Sequence, residues 1–166
     1  THSAVLDVTF NNVDWTDYDA CTIGLRKAEG FQTAHGGILA AASGDPVYTD
    51  FVAFGCQSPD DVQIASGLND GSYTFTDTTQ ATAANHNHRF QINLASSGAV
   101  TYKHIGAAAM KAGALAAPTT TASFTFDSGD VLVPYMIVFG TNQNSQVLLK
   151  SFKITRSPSV DGFSVA

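Results

Sequence analysis

Short stretches of alternating apolar and polar residues recur along this chain, and no long window carries a helical period. In "HRFQINLAS", Phe90, Ile92 and Leu94 fall on one face while Arg89, Gln91 and Asn93 fall on the other. "SFTFD" places Phe124 and Phe126 together, and "LLKSFKIT" places Leu148, Phe152 and Ile154 together, with Lys150 interrupting the row. A period of two with one apolar face marks a half-buried antiparallel strand. The pattern predicts strands over 5–10, 21–28, 48–57, 62–67, 72–78, 89–95, 100–105, 122–126, 131–140 and 147–155. "SSG" at 96–98 and "NDG" at 69–71 supply turn chemistry between them. Short strands punctuated by turns predict an all-β, antiparallel two-sheet β-sandwich or jelly roll. Two alanine-rich stretches, 36–44 and 106–118, are interrupted by glycine and predict at most one or two helical turns.

One segment breaks the alternation. "DSGDVLVPYMIVFG" (127–140) is apolar at consecutive positions after an acidic, Gly-containing lead-in. It is far short of the ~20 residues of a membrane helix. Consecutive apolar positions predict a strand covered on both faces. Pro134 lacks a ladder donor and places that strand at a sheet edge, a bulge or a change of sheet. Val131, Val133, Tyr135 and Ile137 form one row and Leu132, Met136 and Val138 the other, and one of the rows is expected to meet a partner. The expected organisation is one domain over 1–155, followed by a turn-rich arm over 156–166 whose Phe163 is a further candidate assembly contact.

Composition narrows the function. The 166 residues suit one domain that buries roughly 70% of its unfolded surface. Only 13% are charged, against about 25% in most soluble domains. Ser, Thr, Asn and Ala fill the gap, as suits a surface that packs against copies of itself or sits on a virion or outside a cell. Net charge is −6, and no run of Lys or Arg is present, so neither nucleic acid nor a membrane is an expected partner. "THSAVLDVTF" shows no basic-then-apolar leader pattern. Cys21 and Cys56 form neither a zinc motif nor a disulfide framework, and they read as buried thiols, with a single bridge as the alternative.

Candidate chemistry is sparse. His86 and His88 lie two apart in "NHNHRF", a strand spacing that two ligands of one metal can share, with His35 or His104 as further ligands. The competing reading is a polar strand entry facing solvent. Asp14, Asp17 and Asp19 alternate, but the Gly and Glu of a calcium loop are missing. The only glutamate is Glu29, so no pair of carboxylates spaced for glycoside hydrolysis is evident, nor is a nucleophile elbow or a phosphate loop. The expectation is no catalytic residue, no resident metal and no cofactor. Trp15, Tyr18, Tyr73 and Tyr102 are candidate platforms for stacking on a sugar.

The series "NHNHRFQINLASSGAVTYKHIGAAA" resembles the middle of concanavalin A-like sandwiches, with His104-Ile105-Gly106 where such folds often enter a "DG" turn. "FTFDSGDVLVPYMIVFG" followed by "SQVLLKSFKI" resembles the closing strands of tailed-phage virion proteins, and "CTIGLRKAEGF" fits an early strand of the same domain. The resemblance implies a capsid decoration or head-fibre type protein, on the particle exterior, that binds the shell and its own copies without catalysis. The alternative is a lectin-like glycan-binding module, extracellular or at a tail.

Overall fold

Every segment predicted as extended is a strand in the computed structural model, which describes residues 2–12, 20–28, 50–56, 61–68, 74–81, 86–107, 115–139 and 147–157. In chain order these are β1 (Ala4–Asn12), β2 (Ala20–Lys27), β3 (Phe51–Cys56), β4 (Asp61–Gly67) and β5 (Thr74–Ala81). They are followed by β6 (His86–Leu94), β7 (Ala99–Ala107), β8 (Phe124–Thr125), β9 (Leu132–Phe139) and β10 (Val147–Arg156). Among the described residues there is no helix. The stretch 36–44 lies outside them, and the start of 106–118 continues β7 to Ala107, with Ala116 bridging back to His104.

The strands form two five-stranded antiparallel sheets. Sheet I runs β10-β1-β6-β7-β8 and sheet II runs β5-β4-β3-β2-β9. Alternation explains how they face each other. Leu6, Val8 and Phe10 of β1, Phe90 and Ile92 of β6, and Val100 and Tyr102 of β7 point inward from sheet I. Ile23, Leu25, Val52, Phe54 and Ile64 meet them from sheet II. Phe54 sets its ring edge on Phe90, centroids 4.9 Å apart, at the middle of this core.

The two sheets differ on their outer faces. On sheet II, Phe51, Ala53 and Ala65 alternate with core residues yet are themselves fully buried. The centre of that sheet is therefore covered on both sides, which is why "FVAFG" is continuously apolar. Sheet I keeps a polar outer face, described below.

Two glycines meet specific demands. A Cβ on Gly24 would strike the Tyr135 ring and the Val52 carbonyl. Its absence lets Tyr135 lie across β2 and donate to Val52 O at 3.2 Å. Gly98 closes the β6–β7 hairpin at φ +88°, a left-handed conformation that side chains disfavour.

β9 is an edge strand, the environment that Pro134 requires. β10 is the corresponding edge of sheet I, paired among the described strands with β1 alone. A bulge between Thr9 and Phe10 shifts the register, so Phe10 faces Leu149, while Val8 faces Phe152 and Leu6 faces Ile154. Lys150 is the extra residue. This corrects the predicted row: Leu149, Phe152 and Ile154 share the inward face, and Lys150 reaches the other side to donate to Asn87 Oδ1. Arg156 still belongs to β10, and Ser157 N donates to Ser3 O at 3.0 Å. The sandwich thus runs slightly past the predicted boundary, and the rest of the predicted arm lies outside the described residues.

Candidate functional site

The first candidate is the open edge where β9 and β10 face solvent. On β10 only Val147 is partly covered, and Leu148, Leu149, Phe152 and Ile154 are 55%, 54%, 38% and 47% exposed. Val131, just before β9, is 70% exposed. A cleft of about 480 Å3 opens here, lined by Leu6, Leu25, Phe126, Leu132, Pro134 and Ile154 and rimmed by Arg156 and Asp130. It is a continuation of the core that the two edges do not close.

The lip of this cleft is held by charge. Lys27 Nζ lies 3.3 Å from Asp50 and 3.1 Å from Asp130. Asp127 joins them, so that one carboxylate oxygen from each of the three acids lies within 4.8 Å of the others. These hard oxygens suit a cation, and the ammonium of Lys27 is the one between Asp50 and Asp130. Backbone bonds reinforce the tie: Lys27 N donates to Asp50 O and Ala28 N to Val131 O.

The second candidate is the outer face of sheet I. Register places Lys153, Asp7, Gln91 and Lys103 in one row across four strands. The next row is Ser151, Thr9, Arg89 and Ile105, and on the other side lie Thr155, Val5, Asn93 and Thr101. Arg89 grips Asp7 with two bonds, 2.9 and 2.6 Å, and Gln91 Nε2 adds a third at 3.0 Å. The hydrogen bond from Arg89 holds the Asp7 carboxyl below its usual range, with burial opposing and Gln91 assisting.

The third is a pair of imidazoles inside the sandwich. His88 and His104 stack with centroids 5.7 Å apart, between Phe10 and Phe90, and are 1% and 7% exposed. With Gln80 Oε1 accepting at 2.9 Å, His104 carries its proton on Nδ1 and takes the 3.4 Å bond from His88 Nδ1 on Nε2. Burial, then the neighbouring His88, pushes His104 down to about 3, so both the packing and the network favour the neutral ring.

This relocates several predicted residues. His88 is a core residue and begins the inner row of β6 rather than a solvent-facing strand entry. The signal was present, since period two puts His88 on the face of Phe90 and Ile92. His86 begins β6, and only its backbone is described. Tyr102 is 2% exposed and belongs to the core, so it offers no face to a sugar. Trp15, Tyr18, Tyr73, Phe163, Asp14, Asp17, Asp19, Glu29 and His35 lie outside the described residues. Val131 is open and Val133 is half-buried, Tyr135 is engaged with Val52, and Ile137 is described only as backbone of β9. Cys21 and Cys56 are register partners on β2 and β3. The Cys21 thiol is free, and burial pushes its pKa well above the usual range.

No family model matches the chain, and no curated protein matches it. Among solved structures, the chain is similar to an alginate lyase from Pseudomonas aeruginosa, with a TM-score of 0.53 and 9% identity. The likeness covers 94% of this chain and 65% of the lyase, so the chain spans about two thirds of that protein's length. It shows the fold, a jelly roll. It also corrects the expectation that the chain is not an enzyme: the same sandwich carries catalysis in the neighbour. The missing carboxylate pair was an argument against glycoside hydrolysis, and a lyase cleaves without hydrolysis.

Proposed function

We propose that this chain is a virion structural protein of the capsid-decoration type, attaching to the outer shell and to its own copies through the β9/β10 edge. The carrying observation is β10, an edge strand with four large apolar side chains open to water. Each of these is already about half covered, so full burial recovers roughly 1 kcal/mol apiece. Repeated over many copies, such contacts sum as avidity. Lys150 and Lys153 shape the choice of partner. They disfavour β10 of one copy meeting β10 of another and favour an acidic neighbour. The phage-like closing strands of the sequence supply the setting.

The test is co-sedimentation of the full chain with virion shells, together with sedimentation velocity of the protein alone. F152D with I154D is expected to lose shell attachment while keeping a β-type circular dichroism spectrum. Removing residues 158–166, which spares β10, is expected to weaken attachment to a smaller degree. Attachment unchanged by the double substitution would count against the edge.

A second reading, a glycan-binding module, is favoured by the outer face of sheet I. Gln91, Asn93, Thr9 and Thr101 there offer the amides and hydroxyls that hydrogen-bond sugars. The fold neighbour, an alginate lyase, acts on a polysaccharide.

A further inference from the structure

The eight basic residues look scattered along the sequence, but the fold gathers them. Four of the eight, Arg89, Lys103, Lys150 and Lys153, lie on the outer side of sheet I, whereas Arg156 keeps the phase of Ile154 and rims the cleft. Among the described residues Asp7 is the one acid in the strands of sheet I, and Arg89 and Gln91 already satisfy it. Among the described residues, a chain of net charge −6 thus presents one face whose uncompensated charge is positive.

We propose that the outer face of sheet I binds an acidic polysaccharide, a chain of sugars carrying carboxylates, an inference that rests on the glycan-binding reading above. Lys153 and Lys103 stand at the two ends of the row Lys153–Asp7–Gln91–Lys103, three strand spacings or about 14 Å apart. Both are exposed, and among the described residues neither has a hydrogen-bond or ion-pair partner. Between them the Arg89–Asp7–Gln91 network fixes two planar side chains against the sheet. A face that alternates ammonium groups with amides and hydroxyls matches a polymer that alternates carboxylates with hydroxyls.

The same features disfavour nucleic acid. Among the described residues the face carries no aromatic ring on which a base could stack. Its few cations fall short of the ~6–10 phosphate contacts of a typical DNA binder. The face also leaves the apolar side of β10 free, because Leu149, Phe152 and Ile154 point the other way.

The experiment is calorimetric titration of the full chain with alginate oligosaccharides and, separately, with neutral cello-oligosaccharides, at low and at physiological ionic strength. The acidic oligomers are expected to bind, more weakly as salt rises. K103E with K153E is expected to weaken that binding by about tenfold or more, since two favourable charge contacts become repulsive. F152D with I154D serves as the control and is expected to leave it unchanged. Both lysines are exposed, and a retained circular dichroism spectrum excludes misfolding. Binding of neutral oligomers alone would overturn the charge assignment while keeping the glycan reading, and binding of neither would overturn both. If neither sugar binds and K103E with K153E lowers self-association, the face belongs to the acidic surface of a second copy and the proposal fails.

Discussion

At the scale of single residues, His104 sets how the protein responds to acid. Its folded pKa is depressed to about 3 from an unfolded value of 6.5. Between those values the unfolded chain binds a proton that the folded chain refuses, so stability falls as pH drops through the window from 6.5 to 3. The slope approaches 1.4 kcal/mol per pH unit, the limit for one proton. Asp7 is distinct: its folded pKa is lowered, so its contribution is lost only below the ordinary carboxylate range. Urea unfolding between pH 7 and pH 4 is expected to show the histidine slope. His104→Phe, which keeps the stack on Phe90, is expected to flatten it, at a cost of about 1–3 kcal/mol at pH 7 from the stranded Gln80 and His88 groups. A slope unchanged by the substitution would move the effect elsewhere. Gly24 is the second such residue. Gly24→Ala is expected to destabilise by about 2 kcal/mol or more, because its methyl enters the Tyr135 ring. Tyr135→Phe, losing only the bond to Val52 O, is expected to cost about 1 kcal/mol. Equal losses would show that Tyr135 does not pack where the structure places it.

At the scale of elements, the sequence was legible where burial is local. Ten predicted strands are ten strands, because alternation reports which face of a strand is buried without reference to its neighbours. "HRFQIN" falls on the predicted faces, with Phe90 and Ile92 in the core and Arg89, Gln91 and Asn93 on the outer side. β10 shows where that logic stops. Its phase is reset by a bulge opposite Thr9 and Phe10, a property of the pair of strands that neither segment announces alone. Lys150 therefore read as a fault in an apolar row when it is the extra residue that reaches Asn87. The turn at 127–130 carries a similar non-local tie, to Lys27 and Asp50. Lys27→Met is expected to lower the melting temperature by leaving Asp50 and Asp130 without their shared ammonium. Adding Asp130→Asn to that variant is expected to restore part of the loss, as the repulsion between the acids falls. A double variant no more stable than Lys27→Met alone would mean that the network does not hold the cleft lip.

At the scale of the whole molecule, the β9 edge was legible from Pro134 and its apolar run, and the outer face of sheet I is the part that sequence reasoning missed, for one physical reason. A face collects residues from strands far apart in the chain, and composition averages over faces. The pI near 5.0 and the scattered basic residues predicted no affinity for nucleic acid. Segregation still leaves one face positive, and binding follows the potential at a surface rather than the net charge. The two surfaces are also arranged not to compete. β10 turns Leu149, Phe152 and Ile154 away from the platform and its lysines toward it, so a copy or shell docked at the edge leaves Lys103 and Arg89 open. A simple observation tests the segregation independently of any ligand. At pH 7 the intact protein is expected to be retained on a cation-exchange matrix at low salt despite its net charge of −6, and to elute as salt rises. K103Q with K153Q is expected to pass straight through, whereas F152D with I154D, which lowers the net charge by the same two units but at the edge, is expected to lose less of its retention. If both variants behave alike, net charge governs and the platform has no potential of its own.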